Sequence, residues 1–145
     1  MSNIHTVVVA AVVSLTTVAT AAAAEITYRR QVLSELRDAA RLVDAVGYDL
    51  VEHTIEILPR RQTMTRAVQL RRGSVYAVAG VCVNDCDGIS LRLIDENGNV
   101  VDQASGGDRL AVSVRRAWTG LFHIQLTMTR CRESLCNAGV AVFKR

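Results

Sequence analysis

The feature that most constrains this chain is a change of hydrophobic period at Gly47. Before it, Val32, Leu33, Leu36, Ala39, Ala40, Val43 and Val46 recur three and four residues apart, with Arg30, Glu35, Arg37, Asp38, Arg41 and Asp44 mainly between them. Such spacing draws one apolar stripe along a helix, predicted from about Tyr28 to Val46 and docked on a domain by that stripe. Thr27 offers an N-cap oxygen, and Gly47 stands where a left-handed residue closes a helix without a Cβ penalty. After Gly47 the period falls to two, the alternation of extended chain whose side chains point to opposite faces.

The alternation continues to the end of the chain. Val51, His53, Ile55 and Ile57 oppose Glu52, Thr54 and Glu56, and this run stops at Leu58-Pro59. Met64, Val68 and Leu70 follow, and Val75 to Val83 is apolar on both faces, as a central strand covered on each side should be. Further runs centre on Ile89, Leu91 and Leu93; Val100 and Val101; Leu110, Val112 and Val114; Phe122, Ile124, Leu126 and Met128; and Val140 and Val142. Asn97-Gly98 is a hairpin signal because both residues tolerate positive φ. With Gly73, Gly106-Gly107, Gly120 and Gly139 marking other reversals, the expectation is a mainly β, jelly-roll-like antiparallel sandwich of about eight strands behind one N-terminal amphipathic helix.

Residues 1–24 carry no Asp, Glu, Lys or Arg, and an apolar run from Val7 to Leu15 ends in Ala21-Ala22-Ala23-Ala24. That is the layout of a signal peptide, with small residues where a signal peptidase cuts, after Ala24 or Ala21, the former favoured. The run is short of the roughly 20 apolar residues that span a bilayer, so no stable membrane span is expected after cleavage. The resulting division is a signal peptide over 1–24, the helix over 25–47 and the sandwich over 48–145, in a periplasmic or secreted protein.

Net charge is +3, and of the 17 basic residues only Lys144 is a lysine. The arginines are spread along the chain in nothing larger than pairs, and aromatic content is 4%. Nucleic-acid binders concentrate positive charge on one face beside stacking aromatics, so no nucleic-acid partner is expected.

Four cysteines fall as two close pairs, Cys82 with Cys86 and Cys131 with Cys136. Three disulfide connectivities are open to them. Local closure of each loop is favoured because each pair flanks a short polar segment at a strand end, with cross-linking between the loops as the alternative. A four-thiolate zinc site is disfavoured by the spacing and by an oxidising compartment.

The run from Tyr76 to Asp87, with Cys82-Val83-Asn84-Asp85-Cys86 at its heart, leads into Ile89-Ser90-Leu91-Arg92-Leu93 and then Asp95-Glu96-Asn97-Gly98-Asn99. Together with Thr119 to Leu126, it resembles a pre-peptidase C-terminal (PPC) domain over roughly residues 63 to 143. That resemblance implies a secreted β-sandwich acting as a noncatalytic accessory or adhesive module, usually attached to a secreted hydrolase.

Calcium is the leading ligand candidate. Asp85, Asp87 and Asp95 supply hard oxygen donors, aided by Asn84, Asn97, Asn99 and Asp102, although the spacing is not that of an EF-hand. The competing reading is that these are turn residues bonded to nearby backbone, with no cofactor. No catalytic residues are assigned. His53 and His123 each stand in a predicted strand, and neither a Gly-x-Ser-x-Gly elbow nor a His-Glu-x-x-His motif is present. Trp118 is either a loop contact for a ligand or a plug for the end of the core. The functional expectation is a noncatalytic exported module recognising a protein or envelope component, with a calcium-dependent binding domain as the alternative.

Overall fold

The computed structural model describes residues 15–83, 86–115 and 118–145, and of residues 15–20 the backbone alone. The expected apolar run of the signal peptide lies almost wholly outside the described residues, as does the calcium candidate Asp85.

One helix, α1 (Leu15–Asp44), precedes eight strands: β1 (Asp49–Pro59), β2 (Thr63–Leu70), β3 (Tyr76–Val83), β4 (Cys86–Ile94), β5 (Val100–Ser105), β6 (Arg109–Val114), β7 (Gly120–Cys131) and β8 (Leu135–Lys144). They form two four-stranded antiparallel sheets, ordered β1-β8-β3-β6 and β2-β7-β4-β5. Apart from the β4–β5 hairpin, consecutive strands alternate between the facing sheets, the strand order of a jelly roll, in keeping with the expected sandwich class. The core lies between the sheets. Met64, Leu70, Ile89, Leu91, Leu93, Phe122, Ile124 and Leu126 from one face Tyr76, Val78, Val112, Val140 and Val142 from the other.

The helix lies on the outer face of the β1-β8-β3-β6 sheet. Val32 and Leu36 are buried against Val81, Val83, Ala141 and Phe143, flanked by Tyr28, Ala40, Val43, Ile55, Ala77 and Ala79. This second layer explains why β3 is apolar on both faces. Helix α1 closes at Gly47, where φ is +84°, the Tyr48 N–H donates to the Val43 carbonyl at 3.1 Å and the Gly47 N–H to that of Asp44 at 2.9 Å. Those two bonds make a Schellman motif.

The start of the helix differs from the expectation. Thr27 is not an N-cap; it lies inside α1, where its hydroxyl donates back to the Ala23 carbonyl at 2.9 Å. The alanine run expected as a cleavage site is also the strongest helix-forming composition, and the helix continues through it.

Strand β1 is a sheet edge. Its register sets Glu52, Thr54 and Glu56 opposite Val142, Val140 and Ala138, all core residues, so two carboxylates stand on the core side of an open edge. Inward-pointing charge of this kind discourages pairing with another chain.

Both disulfides join neighbours in sequence, Cys82 to Cys86 and Cys131 to Cys136, with Cα separations of 5.8 and 6.0 Å. Each spans a place where the chain changes sheets, β3 to β4 and β7 to β8. Cys86 stands opposite Cys131 in the β4–β7 ladder, so the two bridges sit side by side and clamp one end of the sandwich.

Candidate functional site

The end opposite the disulfides carries the turns 71–75 and 95–99 and the approach to β7. Here Trp118 precedes Gly120, and its indole tilts at 47° over the Phe122 ring with centroids 5.3 Å apart. Phe122 is fully buried, whereas Trp118 is 42% exposed. The side chain is therefore neither wholly plug nor wholly free, since one face rests on the core and the other meets solvent. Leu121, 42% exposed, points outward beside it.

The surroundings are held by specific bonds. The Arg72 N–H donates to Thr119 Oγ1 at 3.1 Å, tying the β2–β3 turn to the Trp118 segment, and the Arg71 N–H donates to the buried Tyr76 hydroxyl at 3.1 Å. Arg71, Arg72 and Arg115 are exposed around this end, and Glu96 lies close over Gly120. Aromatics backed by the core and arginines are both enriched among the residues that carry binding energy at protein interfaces.

At the same end, Asp95 closes the β4–β5 hairpin. Its carboxylate accepts from the Asn97 N–H at 2.9 Å, the Asn99 N–H at 2.8 Å and Asn99 Nδ2 at 3.1 Å. Those bonds, the Asn99 side chain foremost, hold its pKa below the ordinary aspartate value against the opposing pull of burial. Asp87 stands at the other end of β4, about 26 Å away at the usual rise of an extended strand. It pairs with Arg130 Nε at 3.6 Å and Arg132 Nη2 at 3.1 Å. The structure does not bring Asp87 and Asp95 together, and each already has partners of its own. Among the described residues, no three His, Cys, Asp or Glu side chains converge as metal ligands.

The two histidines are also apart. His53 is on β1, on the helix-covered side of its sheet, where it lines a 250 Å³ groove with Leu33, Arg37, Ala40 and Leu50. His123 is on the outer face of the other sheet, between inward-facing Phe122 and Ile124. The whole sandwich separates them. All four cysteines are in disulfides. Among the described residues, no helix is long and apolar enough to cross a membrane.

Trp118 stands out in the sequence, whereas Arg71, Arg72 and Arg115 are brought to the same end of the sandwich only by the pairing of β2 with β7 and of β3 with β6.

No known family profile matches the chain, and no curated protein matches it. Similar solved structures include PliG from Aeromonas hydrophila, a periplasmic inhibitor of g-type lysozyme, at 11% identity and a TM-score of 0.49 over 69% of this chain and 90% of that one. An arabinose-bound GH51 α-L-arabinofuranosidase is 7% identical, with a TM-score of 0.32 over 68% of this chain and 23% of its own. A Bacillus endospore appendage pilus is 12% identical, with a TM-score of 0.31 over 65% of this chain and 89% of its own. At these TM-scores none carries an argument about what the present chain does.

Proposed function

We propose that this chain is an exported, noncatalytic β-sandwich module that recognises a protein partner through the end bearing Trp118. The carrying observation is that Trp118 is braced on the buried Phe122 ring yet 42% exposed. An aromatic already held by the core loses little conformational entropy when a partner covers it. Arg71, Arg72 and Arg115, exposed at the same end of the sandwich, offer planar hydrogen-bond donors for carboxylates on the partner.

Export is supported by the charge-free N-terminal segment ending in four alanines and by two disulfides, which persist in oxidising compartments. The noncatalytic reading is supported by the separation of His53 from His123 on outer faces of opposite sheets and by the engagement of every cysteine. The PPC-like run over residues 63 to 143 agrees with an accessory role.

The test is affinity capture from the native envelope fraction with wild-type protein, Trp118→Ala and Arg72→Glu, each confirmed folded by its melting curve. A specific protein should be retained by the wild type and lost by both variants, with Trp118→Ala weakening the measured affinity by about 2 kcal/mol or more, roughly thirtyfold. Equal retention by all three would remove this surface from consideration. Turnover of a peptide, ester or glycoside that disappears in His123→Ala would overturn the noncatalytic reading.

A further inference from the structure

The disulfide end of the sandwich carries a second site that the Trp118 reading does not use. Arg60 from the β1–β2 turn and Arg130 and Arg132 from the end of β7 converge with Asp87 and Cys131 on a pocket of about 250 Å³. They come from positions roughly seventy residues apart, and long-range bonds fix their approach. The Arg61 N–H donates to the Met128 carbonyl at 2.7 Å, and the Met128 N–H donates to the Gln62 carbonyl at 2.9 Å, locking the turn to β7. Cys131, the last residue of β7 and flanked by Arg130 and Arg132, is held by its disulfide and by its place opposite Cys86.

The charge is out of balance. Asp87 engages both Arg130 and Arg132, and Arg130 Nη2 also donates to the Asp87 carbonyl at 3.3 Å. Among the described residues Arg60 has no carboxylate partner. Among the described residues that line the pocket, three guanidiniums therefore stand against one carboxylate, and Arg61 adds a fourth cation to the same turn. Exposed ion pairs contribute little to stability, so folding does not account for gathering these charges. A single carboxylate clamping two arginines does orient their remaining N–H donors, and planar, multidentate donors suit tetrahedral oxyanions. The volume lies below the usual range for drug-sized ligands, which favours a small anionic group.

We infer that this pocket binds a phosphate group, with Arg60, Arg130 and Arg132 as its donors and Asp87 as the residue that positions the last two. The group is either free phosphate or the headgroup of an anionic lipid, two sources with the same chemistry.

The experiment titrates the purified protein with inorganic phosphate and pyrophosphate while amide and arginine Nε resonances are followed by NMR, with sodium chloride of equal ionic strength as control. In parallel it is mixed with phosphatidylcholine vesicles with and without phosphatidylglycerol. Saturable shifts at Arg60, Cys131 and Arg132 are expected with phosphate but not with chloride. Affinity should fall about tenfold or more in Arg60→Gln and in Arg132→Gln. Sedimentation with phosphatidylglycerol vesicles, lost in the same variants, assigns the lipid source; phosphate binding without sedimentation assigns the free anion. Shifts reproduced by chloride, shifts unchanged in both variants, or vesicle binding without any response to phosphate would overturn the site. Trp118→Ala, at the far end, should leave the phosphate response intact, so the two surfaces stand or fall separately.

Discussion

Gly139 of β8 lies directly beneath Val32 of α1: a β-carbon at position 139 would fall 2.7 Å from Val32 Cγ1, 3.1 Å from Leu36 Cδ1 and 3.2 Å from the Thr54 carbonyl oxygen. The absence of a side chain at this point lets the helix approach the sheet. Gly139→Ala should destabilise the protein by about 1–3 kcal/mol through overpacking, read by denaturant unfolding. Val32→Ala in the same chain should restore only part of the loss, since the Thr54 carbonyl belongs to the backbone and cannot yield. An unchanged midpoint in Gly139→Ala would show that the helix does not dock as described.

The helix is held by apolar contact more than by charge. Glu35 meets Arg109 of β6 at 2.6 Å, but the arginine side chain is 63% exposed. Glu35→Gln should cost no more than about 1 kcal/mol, whereas Leu36→Ala, at a buried position, should cost about 2–4 kcal/mol. Hydrogen exchange along α1 would show the same order, and a larger effect from Glu35→Gln would reverse the assignment.

Each disulfide closes a very short loop, with sequence separations of 4 and 5. The chain-entropy relation then gives about 2 kcal/mol for each. Because Cys86 and Cys131 are cross-strand neighbours, the two bridges should couple. Replacing both pairs with alanine should cost a total different from the sum of the separate replacements by about 0.5 kcal/mol or more, measured in a four-protein cycle. Strict additivity would indicate that the bridges act independently.

Asp95 makes stability depend on acid. Hydrogen bonds from Asn99 and Asn97 depress its folded pKa, so the unfolded chain takes up the proton first as pH falls. Its contribution is complete above the unfolded value near pH 4 and is lost as pH falls through the lower folded value. Asn99→Ala removes the largest cause and should raise the Asp95 titration toward the ordinary 3.8, seen by carboxyl NMR. The variant's melting temperature should also fall less steeply on acidification. A wild-type Asp95 already titrating at the ordinary value would contradict this account.

Calcium should leave the melting temperature unchanged. The Asp95 carboxylate is occupied by three hydrogen bonds from its own hairpin, and Asp87 by two arginines at the opposite end of β4. Scanning calorimetry with millimolar calcium and with chelator checks this. A rise that follows calcium concentration would reinstate the acidic loops as ligands, with Asp85 the first residue to replace.

Much of the architecture could be read from local pattern. The period change at Gly47 located the end of the helix, because left-handed backbone at 47 needs a residue without a Cβ. The doubly apolar run at β3 signalled two covered faces, and Asn97-Gly98 marked the hairpin that Asp95 closes. The helix start was not legible, because a run such as Ala21 to Ala24 has the composition of a cleavage signal as well as that of a helix.

The sequence by itself determined the alternating strands and the sandwich class, and it favoured local closure of each cysteine pair over cross-linking between the loops, since alternation, turn chemistry and short loops are properties of neighbouring residues. Tertiary structure alone decided which strands pair, that α1 rests on Gly139, and that Arg60 meets Arg130 and Arg132 around Asp87. A periodic pattern reports which face of an element is buried, not what buries it. Sites assembled from distant segments therefore exist only once the sheets have closed.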